Sequence, residues 1–163
     1  MDLKDLQKLL ERAAQEIPKQ ALTVIGVEGK NFINKNFKEG RFTDSSTVKW
    51  QERKTEDRQG RDITRYRTNK RGKAGGLNQY GQRNKGRALL VGHDTGGNKL
   101  KNLFKFRISL CSSQVSFYTA KEYAQRHNEG LDGMPKRQFI GQSNYLNEQI
   151  GKKVSKELDK IFK

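Results

Sequence analysis

The segment from Gln51 to Arg87 constrains this chain most. Its 37 residues hold only two of the Leu, Ile, Val and Phe side chains that build cores, Ile63 and Leu77. Glycines stand at positions 60, 72, 75, 76, 81 and 86. Such a stretch buries too little apolar surface to offset its ordering entropy, so it predicts a mobile loop when the protein is alone. A structureless loop this long is uncommon inside a compact domain, and is usually functional where it occurs. The other 126 residues carry 34 of the 36 core-type side chains, or 27%, which suffices for a modest core. A chain of 163 residues is therefore expected to form a single domain over 1–163, with a mobile basic insertion at about 51–87.

Charge follows the same division. The net charge is +16, yet residues 1–48 carry only +1, residues 88–100 are neutral and residues 101–163 carry +6. Residues 49–87 hold +9, and from Ile63 to Arg87 there are eight basic residues and no acidic one. Arg61, Arg65, Arg67, Lys70, Arg71 and Lys73, with Tyr66 and Tyr80 interleaved, suit phosphate contacts and stacking on exposed bases. They equally suit a loop that orders against an acidic protein neighbour. A charge run has no sequence-reading geometry of its own, so both remain open.

Several classes fall away. No run of about 18 apolar residues encodes a transmembrane helix. The start, Met1 to Lys8, is charged and amphipathic and lacks the apolar region of a secretory signal. The single cysteine, Cys111, has no internal disulfide partner, which fits assembly in a reducing cytosol. It reads as a small filler beside a turn, with no basic group placed to activate its thiol. One Cys with two distant His, His93 and His127, makes a poor metal set, so no metal and no cofactor is expected. Gly92 to Lys99 and Gly81 to Arg87 both lack the Gly-Lys-Ser/Thr of a phosphate-binding loop. Neither His93-Asp94 nor His127-Asn128-Glu129 comes with a nucleophile and an orienting group, so no catalytic residue is assigned.

Periodicity sketches the elements. Leu3, Leu6, Leu9, Leu10, Ala13, Ala14 and Ile17 repeat on one helical face, with Asp2 as cap and Asp5 in the first turn. Pro18 is expected to end or kink that helix and to open a second one running to about residue 38. Gly26 and Gly29 lie on or beside the second stripe, and either packing or a close crossing must compensate their helix cost. Phe42 to Trp50 reads as a loop with buried aromatic anchors, and Ala88 to Val91 as a short strand. Asp94 to Gly97 reads as a turn capping a helical turn that ends near Leu103. Phe104, Phe106, Ile108 and Leu110, then Val115, Phe117 and Thr119, alternate with polar residues and predict a hairpin.

Lys121 to Asn128 predicts a short helix stopped by Gly130, and Met134 to Gly141 a proline-led extended segment, with an edge strand as one option. On that helix Tyr123 and His127 share a face, Phe139 is expected to anchor the extended segment, and Arg137 to reach a neighbour. Ser143 or Asn144 is expected to cap a last helix with the stripe Leu146, Ile150, Val154, Leu158 and Ile161/Phe162. Glu148–Lys152 and Lys153–Glu157 offer surface pairs along it. The sum is an α+β fold: N-terminal helices and a C-terminal helix packed on a small antiparallel sheet, with a long basic flexible loop.

Two motifs follow one another in the last third. Tyr123-Ala124-Gln-Arg-His127-Asn-Glu-Gly130 is followed, after a spacer, by Pro135-Lys-Arg137-Gln-Phe139-Ile-Gly141. In this they resemble the phage virion morphogenesis family, which includes tail completion proteins of Mu-like and P2-like contractile-tailed phages. Upstream, the amphipathic start, the aromatic stretch ending in Trp50, the basic segment and a Thr95-Gly96 turn before the hairpin stand in the family's order. Where the family has Thr-Gly-x-Leu, this chain has Thr95 to Leu100 with two extra residues. The resemblance implies a non-enzymatic virion protein at the head-proximal end of the tail, assembled in the bacterial cytoplasm. It also implies a ring of copies, a hexamer by the six-fold symmetry of contractile tails, that meets tail-tube and neck proteins and makes no membrane contact. The rival class is a free-standing basic nucleic-acid-binding protein.

Overall fold

A computed structural model of the chain describes residues 3–53, 55–64, 76–84, 89–90 and 99–161. Its spine is one helix, α1 (Leu3–Glu39), 37 residues long with Pro18 inside it. Two helices meeting at Pro18 are therefore not what forms. Proline removes one amide donor from the ladder. Pro18 and Ala14, the residue one turn back, are both exposed, so that lost bond falls on the solvent side. The buried face meanwhile keeps its spacing past the proline, through Ala13, Leu22, Gly26, Gly29, Ile33 and Phe37.

Gly40, at φ 63°, stops α1 and reverses the chain into β1 (Arg41–Thr43). That strand pairs antiparallel with β2 (Thr47–Lys49), Phe42 opposite Val48. The stretch expected as a loop is thus a short hairpin, although its aromatic anchors Phe42 and Trp50 are buried as expected. The Trp50 amide closes the hairpin by donating to Gly40 O at 2.9 Å. In the apolar-poor region, residues 55–63 form a tight turn with Glu56 bridged to Asp62, and residues 79–84 form α2 (Gln79–Asn84). Leu89 and Leu90 stand in a turn rather than a strand, Leu90 at φ 58°, and pack against the core. A single 3-10 turn, Leu100–Asn102, leads to the second hairpin; the residues expected to cap it, Asp94 to Gly97, lie outside the described residues.

The second hairpin forms as its alternation predicts. β3 (Lys105–Ser109) pairs with β4 (Gln114–Tyr118), setting Phe106 opposite Phe117 and Ile108 opposite Val115. Lys105, Arg107, Ser116 and Tyr118 face out. Leu110 falls in the connecting turn and is exposed, as is Cys111, which fills no core. The apolar face lies on α1 where Gly26 and Gly29 sit. A Cβ on Gly29 would lie 2.8 Å from Phe117 Cε1, and one on Gly26 would meet the Phe106 ring. These two glycines compensate their helix cost with that close approach.

α3 (Tyr123–Glu129) and α4 (Asn144–Ile161) complete the fold. α4 runs antiparallel along α1: Lys35 Nζ reaches Tyr145 Oη at 3.0 Å, and Lys153 Nζ reaches Glu28 at 2.7 Å. Lys153 thus bonds across the helix pair rather than to Glu157, which pairs with Lys160 instead. The stripe Leu146, Ile150, Val154, Leu158 and Ile161 is half-buried throughout. The core gathers at the C-terminal end of α1, where Ile33, Phe37, Trp50, Leu100, Phe104, Ala124 and Phe139 meet. The result is an α+β fold whose sheet is divided into two separate hairpins.

Candidate functional site

The two sequence motifs fold onto each other. Gly130 ends α3 in the left-handed conformation, φ 76°, with its amide on Arg126 O at 2.8 Å. A Cβ there would lie 3.0 Å from the Lys136 amide nitrogen, because the chain turns at Asp132-Gly133 and comes straight back. On the return the Arg137 amide donates to His127 O at 2.7 Å. The Phe139 and Ile140 amides both donate to Asn128 Oδ1, at 3.0 and 3.1 Å. The proline-led segment is therefore not an edge strand: α3 takes its donors, leaving none of the three for a ladder.

Each motif side chain has a place in this clasp. Ala124 packs in the core cluster, and Tyr123 lies exposed with its ring edge-on to His127, centroids 6.0 Å apart. Phe139 is 1% exposed and stacks on Phe37 with ring centroids 4.9 Å apart. Its carbonyl accepts from Asn36 Nδ2 at 3.2 Å, while Asn36 Oδ1 takes the Thr43 amide at the same distance. A Cβ on Gly141 would collide with the Gln138 side-chain amide. Pro135 is half-buried beside a surface pocket.

Arg137 turns inward onto residues 51 and 52 of its own chain. It is buried at 7% exposure, and its Nε donates to Gln51 O at 3.0 Å, with Nη2 3.4 Å from Glu52 O. Trp50 Nε1 adds a bond to Gln138 O at 2.7 Å. The clasp thus holds the first residues of the apolar-poor segment. Its far end is tied to the first hairpin: Ser143 Oγ donates to Thr43 O at 2.9 Å and accepts the Leu146 amide at 3.2 Å, capping α4. The Asn144 amide meets Asp44 Oδ1 at 2.7 Å.

Burial shapes the electrostatics. Desolvation, and then the Arg137 charge, lowers the His127 pKa below the usual imidazole value, and its Nδ1 is buried without a partner. Desolvation and the neighbouring Arg53 charge likewise lower the Arg137 pKa. His127 consequently stays neutral in the fold at pH values where the unfolded chain is protonated. Stability should be full above the unfolded imidazole pKa of about 6.5 and fall as pH drops from there towards the folded value. Melting temperatures across this window should decline less steeply for His127→Gln than for the native chain; parallel curves would contradict the assignment.

Of the basic candidates, Arg61 alone is described. Its Nε pairs with Asp57 at 2.6 Å and its amide with Asp57 Oδ1 at 2.9 Å, so it closes its own turn rather than offering a bare charge. Those bonds, the backbone one first, hold the Asp57 carboxyl below its usual pKa. Arg65, Arg67, Lys70, Arg71 and Lys73 lie outside the described residues, as does Tyr66. Among the described residues, no three His, Cys, Asp or Glu side chains converge as a metal site would require.

Sequence reasoning missed Asn36 and Asn128, which are the polar joints of the clasp. The one available signal was an asparagine in the last turn of a short helix, where its side chain competes for backbone amides. No family model matches the chain, and no curated protein or solved structure does either.

Proposed function

We propose that this protein is a non-enzymatic structural component of a contractile-tailed phage or prophage particle. In this reading it completes the tail and supports its joining to the filled head. The observation that carries the reading is the order and spacing of Tyr123…Gly130 and Pro135…Gly141 behind the aromatic stretch, the basic segment and the hairpin. Support comes from the way those residues meet in one clasp, which anchors residues 51 and 52 through Arg137. A basic segment rooted on a rigid support is suited to ordering against a partner without disturbing the core.

The working form is a ring with a heterologous interface, one patch of each copy seated on a different patch of the next. Copies carrying +16 each repel one another, so such a ring needs an acidic neighbour or DNA in its lumen. Tail-tube and neck proteins on either side, and DNA passing through, supply both. No helix among the described residues is long and apolar enough to cross a membrane.

None of the described clasp bonds uses a residue between 61 and 85. Deleting residues 61–85 should therefore leave a folded domain, read by circular dichroism, but reduce the number of joined particles. Normal particle yield from that deletion would sink the assigned role of the basic segment. The net charge of +16 favours the rival reading of a free-standing nucleic-acid-binding monomer. That reading requires DNA affinity that falls steeply with salt and a monomer at every salt concentration, which one sizing series tests.

A further inference from the structure

Arg137 leaves something over that the clasp does not use. A buried cation is normally compensated by a carboxylate, because desolvating an unpaired charge is costly. Arg137 takes part in none of the described ion pairs, and its described side-chain hydrogen bonds are the two to the carbonyls of Gln51 and Glu52. A guanidinium has five donors, so part of its fork remains to be used.

The same side chain lines a pocket of about 470 Å³. Gln51, Glu52, Arg53, Gly133, Met134 and Pro135 complete its lining. Met134 is 38% exposed there, so the pocket presents an apolar surface next to its cation. Burial, and then the charge of Arg53 in the same lining, lowers the Arg137 pKa.

We infer that this pocket is a docking site for a carboxylate carried by an apolar stretch of a partner protein, received by Arg137. A nucleic acid fits the geometry less well. A strand brings successive phosphates, which need a row of exposed cations. This pocket instead offers the recessed Arg137 with Arg53 beside it, an apolar neighbour in Met134 and a carboxylate, Glu52, in its lining. A planar fork beside an apolar surface matches a glutamate or aspartate between aliphatic residues. The site stands on the pocket alone and does not depend on the role in tail assembly.

The test uses the full ¹⁵N-labelled chain and a capped pentapeptide alternating leucine with glutamate. Its control is the same peptide with glutamine. The Arg137 Nε resonance and the emission of Trp50, the single tryptophan, report occupancy. The glutamate peptide should shift both saturably, and the glutamine peptide should bind about tenfold or more weakly. Met134→Glu sets a carboxylate at the pocket while changing the net charge by only one unit. It should fold normally by circular dichroism and lose about tenfold in peptide affinity. Equal binding of the two peptides, or full affinity in Met134→Glu, would overturn the site. So would a short single-stranded oligonucleotide that shifts the Arg137 resonance at lower concentration than the glutamate peptide.

Discussion

Phe139→Ala should lower the unfolding free energy by about 3–5 kcal/mol, the usual cost of deleting a buried aromatic ring. The side chain is 1% exposed and contacts two other rings: stacked on Phe37 at 4.9 Å and tilted against Phe104 at 5.3 Å. Its removal empties the junction between α1, the second hairpin's entry and the clasp. Domains of this size are stable by only about 5–15 kcal/mol, so the variant should be marginal. Urea denaturation followed by Trp50 fluorescence reads the change directly, since Trp50 shares that core. A loss under about 1 kcal/mol would mean that Phe139 is not at the centre of the packing.

Gly29→Val should be the next most damaging change. Its Cβ alone would approach Phe117 Cε1 to 2.8 Å, and the ring is held from the other side by its strand and by Phe106 at a centroid distance of 6.2 Å. Either the hairpin lifts from α1 or the helix shifts, a strain that costs about 1–3 kcal/mol. Gly151, in α4, has nothing within 4 Å of the same position. Gly151→Ala should therefore stabilise the chain by about 1 kcal/mol, through helix propensity alone. The opposite signs at two helical glycines make the pair informative. If thermal melts move the same way for both, the close crossing is wrong.

Much of this was written in local pattern. The alternation of Phe106, Ile108, Val115 and Phe117 specified the second hairpin, because a period of two is imposed by the strand itself. Gly130 as a helix stop and Ser143 as a cap were legible for the same reason: each satisfies backbone groups within a few residues of its own position. Gly26 and Gly29 called for packing or a close crossing without naming the partner, since Phe106 and Phe117 lie some 80 residues away along the chain.

What escaped depended on tertiary context. Pro18 was read as ending or kinking a helix because proline removes a donor, whereas the buried stripe on either side keeps α1 in register. Met134 to Gly141 was read as an extended segment, with an edge strand as one option, because it is led by a proline. The distinction between a ladder and a clasp rests on Asn128, whose side chain takes two amides eleven and twelve residues on. Arg137 was expected to reach a neighbour from the face it shares with Phe139. The two carbonyls that receive it belong to Gln51 and Glu52, more than 80 residues upstream.

The measurement that bears most directly on the proposed function is electron microscopy of particles induced from the strain that encodes this chain, with the gene intact and removed. Removal should leave filled heads and complete-length tails that fail to join, and supplying the native chain in trans should restore joined particles. Joined, infectious particles in normal numbers without the chain would contradict a role in completing the tail.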